Sequence, residues 1–152
     1  MSPSSDEVVH YKKDSVLYSE GEPAHFLYLV KSGEINLVKE NDGRFTLLEL
    51  VGDISFVGEN ALFSDQVRKE SAIVTKNTEV ILVKANDIGK VMNSLPDWSR
   101  EILSTFSKRI EKLSSYMAEH KISGNLSGQN LTNEQEHHFR DLIKEYKEVK
   151  NL

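Results

Sequence analysis

Short β-type runs broken by turn residues fill the chain from residue 8 to about residue 83. Runs of this length, separated by glycine, proline, aspartate and asparagine, are typical of an antiparallel sandwich or barrel, and they predict about eight strands. The clearest runs are 16–18, 26–30, 35–38, 45–51, 72–74 and 80–83. Between the third and fourth runs stands Asp42-Gly43, a pair that tolerates the positive φ angles of a tight hairpin turn.

The pattern becomes helical at Ala85, and Leu95-Pro96-Asp97 interrupts it once. Beyond this point five apolar residues recur at intervals of three, four, three and four, the spacing of a coiled-coil seam. These residues are Leu103, Phe106, Ile110, Leu113 and Met117. The seam predicts pairing with a second copy of the chain, and the alternative is that the stripe lies on the barrel of its own chain.

The C-terminal part predicts a linker and one more helix. Residues 123–131 are rich in glycine, serine and asparagine, which is typical of a flexible linker. Thr132 and Gln135 then form a capping-box signature. One face of the predicted helix is apolar and carries Phe139, Leu142, Ile143, Tyr146 and Val149. The first interpretation is that this face packs on the barrel or the dimer. The second is that it is a docking helix for another protein. The expected division is a barrel with its dimerisation helix over 1–122, a linker over 123–131 and an amphipathic helix over 132–152.

Composition and charge narrow the function classes. The 152 residues carry a formal charge of −5 spread over both signs, so the concentrated positive field that attracts nucleic acid or anionic membranes is missing. The chain has no cysteine, which excludes disulfides, thiolate metal sites and a cysteine nucleophile. No apolar run approaches the ~20 residues that span a bilayer. We therefore expect a cytoplasmic protein without a nucleic-acid or membrane partner.

Catalytic and metal-binding patterns are also missing from the sequence. His137 and His138 are adjacent, so on a helix they point about 100° apart rather than towards one ion. No serine stands in a nucleophile elbow, and no glycine-rich loop carries the lysine of an ATP site. The expectation is a protein that is not an enzyme and has no metal or cofactor.

Two stretches of the sequence resemble the cyclic-nucleotide-binding domain family, and the resemblance runs from Asp14 to about Met117. The first contains the strand runs 16–18 and 26–30 with glycine turns at Gly21 and Gly33. The second, comprising Gly52-Asp53, the stretch 58–63 and the stretch 71–74, is similar to the family's phosphate-binding cassette. The resemblance implies a mainly β fold: a double-stranded β-helix, or jelly-roll, barrel with flanking α-helices and here a C-terminal helical extension.

The resemblance also implies a site for cAMP or cGMP. Gly58 lets the backbone approach the ligand, Glu59 accepts the ribose 2′-hydroxyl, and backbone amides near Ala61 bind the phosphate. Serines on the helix after the barrel are candidates for the purine edge, although serine on a helix is more often simply solvated. The complete predicted set is Gly58, Glu59, Asn60, Ala61, Leu62, Arg68, Ser71, Ala72, Ser114 and Ser115.

The arginine that binds the phosphate in this family has two possible positions here. Counting forward from Gly58 gives Arg68, but counting back from Ser71-Ala72 gives Glu70. If Arg68 faces the pocket, a guanidinium meets the phosphate, whereas a carboxylate at Glu70 repels it. The first case predicts a regulatory sensor that acts through a partner protein, and the second predicts a dimeric interaction scaffold without a ligand.

A transcription factor is a third class, because many bacterial relatives continue into a helix-turn-helix. After the seam helix about thirty residues remain, and they hold the predicted linker and one helix of mixed charge. Reading a DNA groove requires at least two helices in fixed relation. The expectation is therefore a member of the family that lacks the helix-turn-helix.

Overall fold

The structure is a computed structural model that describes residues 7–120 and 130–152. In this part of the chain six strands form one antiparallel sheet, in which the order β1-β6-β3-β4 is extended by β2 on β6 and by β5 on β3. The strands are β1 Val8–Tyr11, β2 Val16–Tyr18, β3 Phe26–Asn41, β4 Arg44–Val51, β5 Ser55–Val57 and β6 Ser71–Lys84. The helices are α1 Glu59–Leu62, α2 Ala85–Ser94, α3 Asp97–Glu119 and α4 Asn133–Lys150. The fold is mainly β and jelly-roll-like with flanking helices.

Two strands are much longer than the sequence pattern predicts. The runs 26–30 and 35–38 are parts of β3, and the runs 72–74 and 80–83 are parts of β6. The prediction of about eight strands is therefore wrong for the described residues, which contain six. The register of β3 against β6 shifts between Val30 and Ile35, around Gly33. These irregularities bend the strand without ending it, because hydrogen bonding resumes on both sides.

The predicted hairpin turn joins β3 to β4. Asn41 pairs with Arg44, so that Asp42 and Gly43 form a two-residue loop. Their φ angles are 50° and 77°, and two positive angles in succession define the tight turn whose twist matches the strands. The prediction from Asp42-Gly43 is confirmed.

The core has two clusters. The first lies between the strands and is centred on the fully buried Tyr18, Ile35 and Val74. The second lies where α4 covers the strands, and Phe139 and Ile143 of that helix pack there. The strand residues of the second cluster are Val38, Phe45, Leu47 and Ile73. Most of the predicted apolar face of α4 thus packs on its own chain, in line with the first of the two interpretations, but Val149 at its C-terminal end is exposed.

The N-terminus of α4 is capped as the sequence predicts. Gln135 N donates to Thr132 Oγ1 at 3.1 Å, and Thr132 N donates to Gln135 Oε1 at 2.9 Å. Glu136 is buried and accepts hydrogen bonds from Phe45 N at 2.9 Å and Arg44 Nε at 3.1 Å. The predicted linker over 123–131 lies outside the described residues except for its last two positions. The division of the chain into domains stays a prediction.

Helix α3 presents one side to the barrel and the other to solvent. Ser107 and Ala118 are buried, whereas Phe106, Ile110 and Leu113 are exposed. The other two members of the predicted seam, Leu103 and Met117, are half-buried. The barrel of the same chain therefore leaves the centre of this stripe uncovered, and pairing through it stays a prediction. None of the four described helices is long and apolar enough to cross a membrane.

Candidate functional site

The loop before β6 places Arg68 and Glu70 on the same side of the chain. Arg68 N donates to Glu22 O at 2.9 Å, and Arg68 O accepts from Gly21 N at 2.8 Å, so this segment is held like a strand. Side chains alternate along extended backbone. Lys69 accordingly points the other way, where its Nζ lies 2.7 Å from Asp65 Oδ2. The sequence posed Arg68 and Glu70 as exclusive alternatives, but the structure buries both.

The guanidinium of Arg68 lies inside the barrel and is held mainly by backbone carbonyls. The residue is 2% exposed, and its Nη1 and Nη2 donate to Gly58 O at 3.0 Å and Phe26 O at 2.7 Å. Its Cζ stands 3.9 Å from the centroid of the Tyr18 ring. Among the described residues its Nε has no hydrogen-bond partner, and Arg68 takes part in no salt bridge. A buried cation without a paired anion is suited to receive one.

Gly58 makes the approach of Arg68 possible. Its φ is +94°, and a Cβ at this position would stand 2.5 Å from Arg68 Nη1. Helix α1 begins at the next residue and is only four residues long, with Ala61 buried. The first N–H groups of a helix have no carbonyl partner within that helix. Backbone donors and the guanidinium are therefore brought to one place around Gly58.

Two carboxylates complete the electrostatics of the site. Glu70 is 6% exposed, and its Oε1 accepts a hydrogen bond from Tyr18 Oη at 3.0 Å. Burial raises the pKa of the Glu70 carboxyl, while the Tyr18 hydrogen bond and the Arg68 charge act in the opposite direction. Burial likewise raises the pKa of Glu59, to which the neighbouring Glu70 also contributes. The site therefore combines one guanidinium with two carboxyl groups that resist ionisation.

The other predicted ligand residues lie around this centre. Ser71 Oγ accepts from Glu20 N at 2.9 Å, and Ala72 is fully buried opposite Tyr18 in the β2–β6 pairing. Asn60 and Leu62 belong to α1. Their roles toward a ligand stay predictions.

Helix α3 reaches the same loop from outside the barrel. Lys69 Nζ lies 3.6 Å from Glu111 Oε1 of α3. Ser114 and Ser115 follow one turn later and are half-buried. Their spacing from Glu111 places these two serines on the same side of α3 as Glu111, while a contact with a purine stays a prediction.

Sequence reasoning missed Tyr18 as part of the site. In the sequence Tyr18 was only the last residue of the strand run 16–18. In the structure its ring stacks on Arg68 and its hydroxyl donates a hydrogen bond to Glu70. Burial and the nearby carboxylate raise its pKa well above the usual value, so the phenol stays protonated as a donor. No pattern in the sequence distinguishes this tyrosine from the other aromatic residues of the core.

The geometry agrees with comparisons to known proteins. The family model described as the cyclic nucleotide-binding domain matches residues 8–94, more than half of the chain. The chain belongs to the cyclic nucleotide-binding domain family. A CRP-like cAMP-activated global transcriptional regulator from Mycobacterium tuberculosis is 23% identical over 73% of this chain and 50% of its own length.

Solved structures show the same fold. The cAMP-bound form of the EAL enzyme Bd1971 matches with a TM-score of 0.69 and 19% identity, over 75% of this chain and 30% of that one. The catabolite activator protein of Thermus thermophilus matches with a TM-score of 0.58 and 23% identity, over 73% of this chain and 53% of that one. These likenesses confirm the predicted fold class, a jelly-roll-like β barrel with flanking helices.

The comparisons also bear on the partner predictions. The chain spans about half the length of the regulators that it matches. The first of these is named as a transcriptional regulator, so the expectation that nucleic acid is no partner finds no support among the relatives. The expectation that the chain is not an enzyme stays a prediction. Residues 7–120 and 130–152 contain no group of three or more His, Asp or Glu side chains placed to hold a metal ion.

Proposed function

We propose that this domain binds a cyclic nucleotide, cAMP or cGMP, in the barrel beside Gly58, with the phosphate held by Arg68. The observation that carries the proposal is the buried Arg68 guanidinium, whose Nε has no partner among the described residues. A cyclic phosphate supplies the missing negative charge and accepts hydrogen bonds in the plane of the guanidinium.

The other ligand contacts follow from the cassette. The amides at the start of α1, near Ala61 and Leu62, are proposed to bind phosphate oxygens, and Glu59 to accept the ribose 2′-hydroxyl. Glu59 is half-buried next to Glu70, so a hydroxyl donor would stabilise its ionised form. Membership in the family and its cAMP- and cGMP-bound structural neighbours support this choice of ligand class.

We further propose that the domain works as a homodimer joined through α3 and passes the signal to a partner protein. Phe106, Ile110 and Leu113 form an exposed apolar stripe on the solvent side of that helix. The opposite side is tied to the site through Glu111, which pairs with Lys69 next to Arg68. A ligand that binds better to one arrangement of this loop and helix shifts the population towards it.

The competing candidate is a domain that has lost its ligand and serves as an interaction scaffold. The observation that favours it is the buried carboxyl group of Glu70 on the same side of the chain as Arg68. An ionised carboxylate there opposes an incoming phosphate. The two candidates differ in a single measurable property, the affinity for a cyclic nucleotide.

Isothermal titration calorimetry with cAMP and cGMP tests the proposal, using the full chain, Arg68→Ala and the surface control Arg100→Ala. Circular dichroism establishes that each variant is folded. Loss of a charge-assisted pair is expected to weaken binding by Arg68→Ala about tenfold to a hundredfold. Ligand at 100 times its dissociation constant should also stabilise the wild type by about 2.7 kcal/mol.

Absence of binding by both nucleotides to the folded wild type would overturn the sensor and favour the scaffold. Binding that is equal in the wild type and in folded Arg68→Ala would instead mean that another group holds the phosphate. Arg100→Ala should match the wild type, because Arg100 lies on α3 and pairs with Asp97 on the same helix.

A further inference from the structure

Glu70 is a buried carboxyl group close to Arg68, the residue proposed to hold the phosphate. Its Oε1 accepts from Tyr18 Oη at 3.0 Å, and the Arg68 guanidinium stacks 3.9 Å from the centroid of the same ring. Both groups therefore contact the Tyr18 side chain, the carboxyl group at the hydroxyl and the guanidinium at the ring. An anion bound by Arg68 is therefore repelled by the ionised carboxylate of Glu70.

The charges that face Glu70 come from four parts of the chain. They are Tyr18 on β2 with Glu20 just beyond it, Lys39 on β3, Glu59 on α1 and Arg68 in the loop. Lys39 is already engaged, since its Nζ lies 3.1 Å from Glu20 Oε1 and donates to Lys69 O at 2.6 Å. Arg68 is thus the cation left for a ligand, and Glu59 and Glu70 oppose it.

A cyclic phosphodiester and a phosphate monoester differ in charge. The diester has one ionisable oxygen and carries a single negative charge, whereas a monoester, with a second pKa near ~6, carries about −1.5 to −2 at pH 7. Repulsion by a fixed carboxylate grows in proportion to the charge of the ligand. The same carboxylate therefore penalises a monoester about twice as strongly as a cyclic diester.

Building on the proposed function, we propose that Glu70 is a specificity-determining residue, whose carboxylate admits a singly charged cyclic phosphodiester and rejects a doubly charged phosphate monoester. Arg68 supplies the attraction that both ligands share, and Glu70 supplies the difference between them. The hydrogen bond from Tyr18 holds the carboxyl group in place. This bond lowers the pKa of Glu70, but burial raises that pKa by more, so the carboxylate acts most fully at alkaline pH. The effect requires no steric contact between Glu70 and the ligand.

Calorimetry with cAMP and 5′-AMP at pH 8, on the wild type, Glu70→Gln and Glu40→Gln, tests this assignment. Gln keeps an oxygen that accepts from Tyr18 while it removes the charge, and Glu40→Gln makes the same charge change at an exposed position. Glu70→Gln should strengthen cAMP binding about tenfold and 5′-AMP binding by about the square of that factor, since repulsion scales with ligand charge. The preference for the cyclic ligand should then fall about tenfold, while Glu40→Gln leaves it unchanged.

The assignment is overturned if the ratio of cAMP affinity to 5′-AMP affinity is unchanged in Glu70→Gln, or if Glu40→Gln changes this ratio equally. In both cases, binding of cAMP by the wild type would leave the proposed function intact. If the folded wild type binds neither cAMP nor cGMP, the proposed function itself fails. If Glu70→Gln does not fold, the wild type decides through its pH profile. The charge of cAMP is constant between pH 8 and pH 5.5, and adenosine is uncharged throughout, so acid that neutralises Glu70 must strengthen cAMP binding relative to adenosine binding. Protonation of Glu59 alters the ribose contact of both ligands alike, and a constant ratio of the two affinities refutes the role of Glu70.

Discussion

Replacing Phe139 by alanine removes the largest side chain that α4 contributes to the core. Phe139 is 4% exposed and packs in one cluster with Val38, Phe45, Leu47 and Ile73 of the strands. A buried phenylalanine replaced by alanine costs about 3–5 kcal/mol, from lost burial and the cavity left behind. Single domains unfold with only about 5–15 kcal/mol, so this change should remove a large part of the total. At roughly 2–4 °C for each kcal/mol, the melting temperature should fall by about 10 °C.

Urea unfolding followed by circular dichroism measures the effect, with Val149→Ala as the matched control. Val149 lies on the same helix but is 75% exposed, so its truncation should change the free energy of unfolding by less than about 0.5 kcal/mol. A loss below about 1 kcal/mol in Phe139→Ala, with an unchanged dependence on urea, would refute the docking of α4 on the barrel. The apolar face of α4 would then be available to another protein, as the second sequence-based interpretation holds.

Two further predictions concern the backbone of β3 and the surface of α3. Gly33→Ala should lower the free energy of unfolding by about 2 kcal/mol or more, measured in urea, because φ is +117° and the new Cβ would meet Thr78 Cα at 2.6 Å. The control Gly89→Ala lies on α2 with open space around it, and it should instead stabilise the domain by about 0.5–1 kcal/mol. Leu113→Glu should convert a dimer into a monomer in light scattering, because Leu113 is 59% exposed in the predicted seam. The control Lys112→Glu, at the adjacent residue, should remain dimeric. A Leu113→Glu variant that also remains dimeric contradicts pairing through this face.

The sequence predicted those parts of the fold whose cause is local. The Asp42-Gly43 turn and the Thr132 cap depend on conformations and hydrogen bonds within a few residues, and both are present. The strand count failed because the bend in β3 near Gly33 looks in sequence like a turn between two strands. Whether a glycine ends a strand or bends it depends on the partner strand, here β6, which lies more than thirty residues away.

The sequence indicated candidate residues for the site but not how their charges are arranged, and the roles of these residues toward a ligand stay predictions. Arg68 Nη1 donates to the carbonyl oxygen of Gly58, the residue directly before α1. Tyr18 was missed, because its position against Arg68 depends on β2 pairing with β6 at Ala72. Contacts of this kind between distant segments produce no regular residue spacing by which they could be recognised in a single sequence.

The question of which residue takes the arginine position shows the limit of counting along a sequence. Gln66 has a φ of +60°, and a residue in the left-handed region turns the chain, so that the alternation of side chains restarts after it. The segment that follows is fixed by hydrogen bonds to Gly21 and Glu22, and it therefore sends residues 68 and 70 inward together. Counting along the sequence gave Arg68 and Glu70 as alternatives for one position, whereas the structure buries both side chains. Under the proposed function, the affinity for a phosphate is therefore expected to depend on both Arg68 and Glu70.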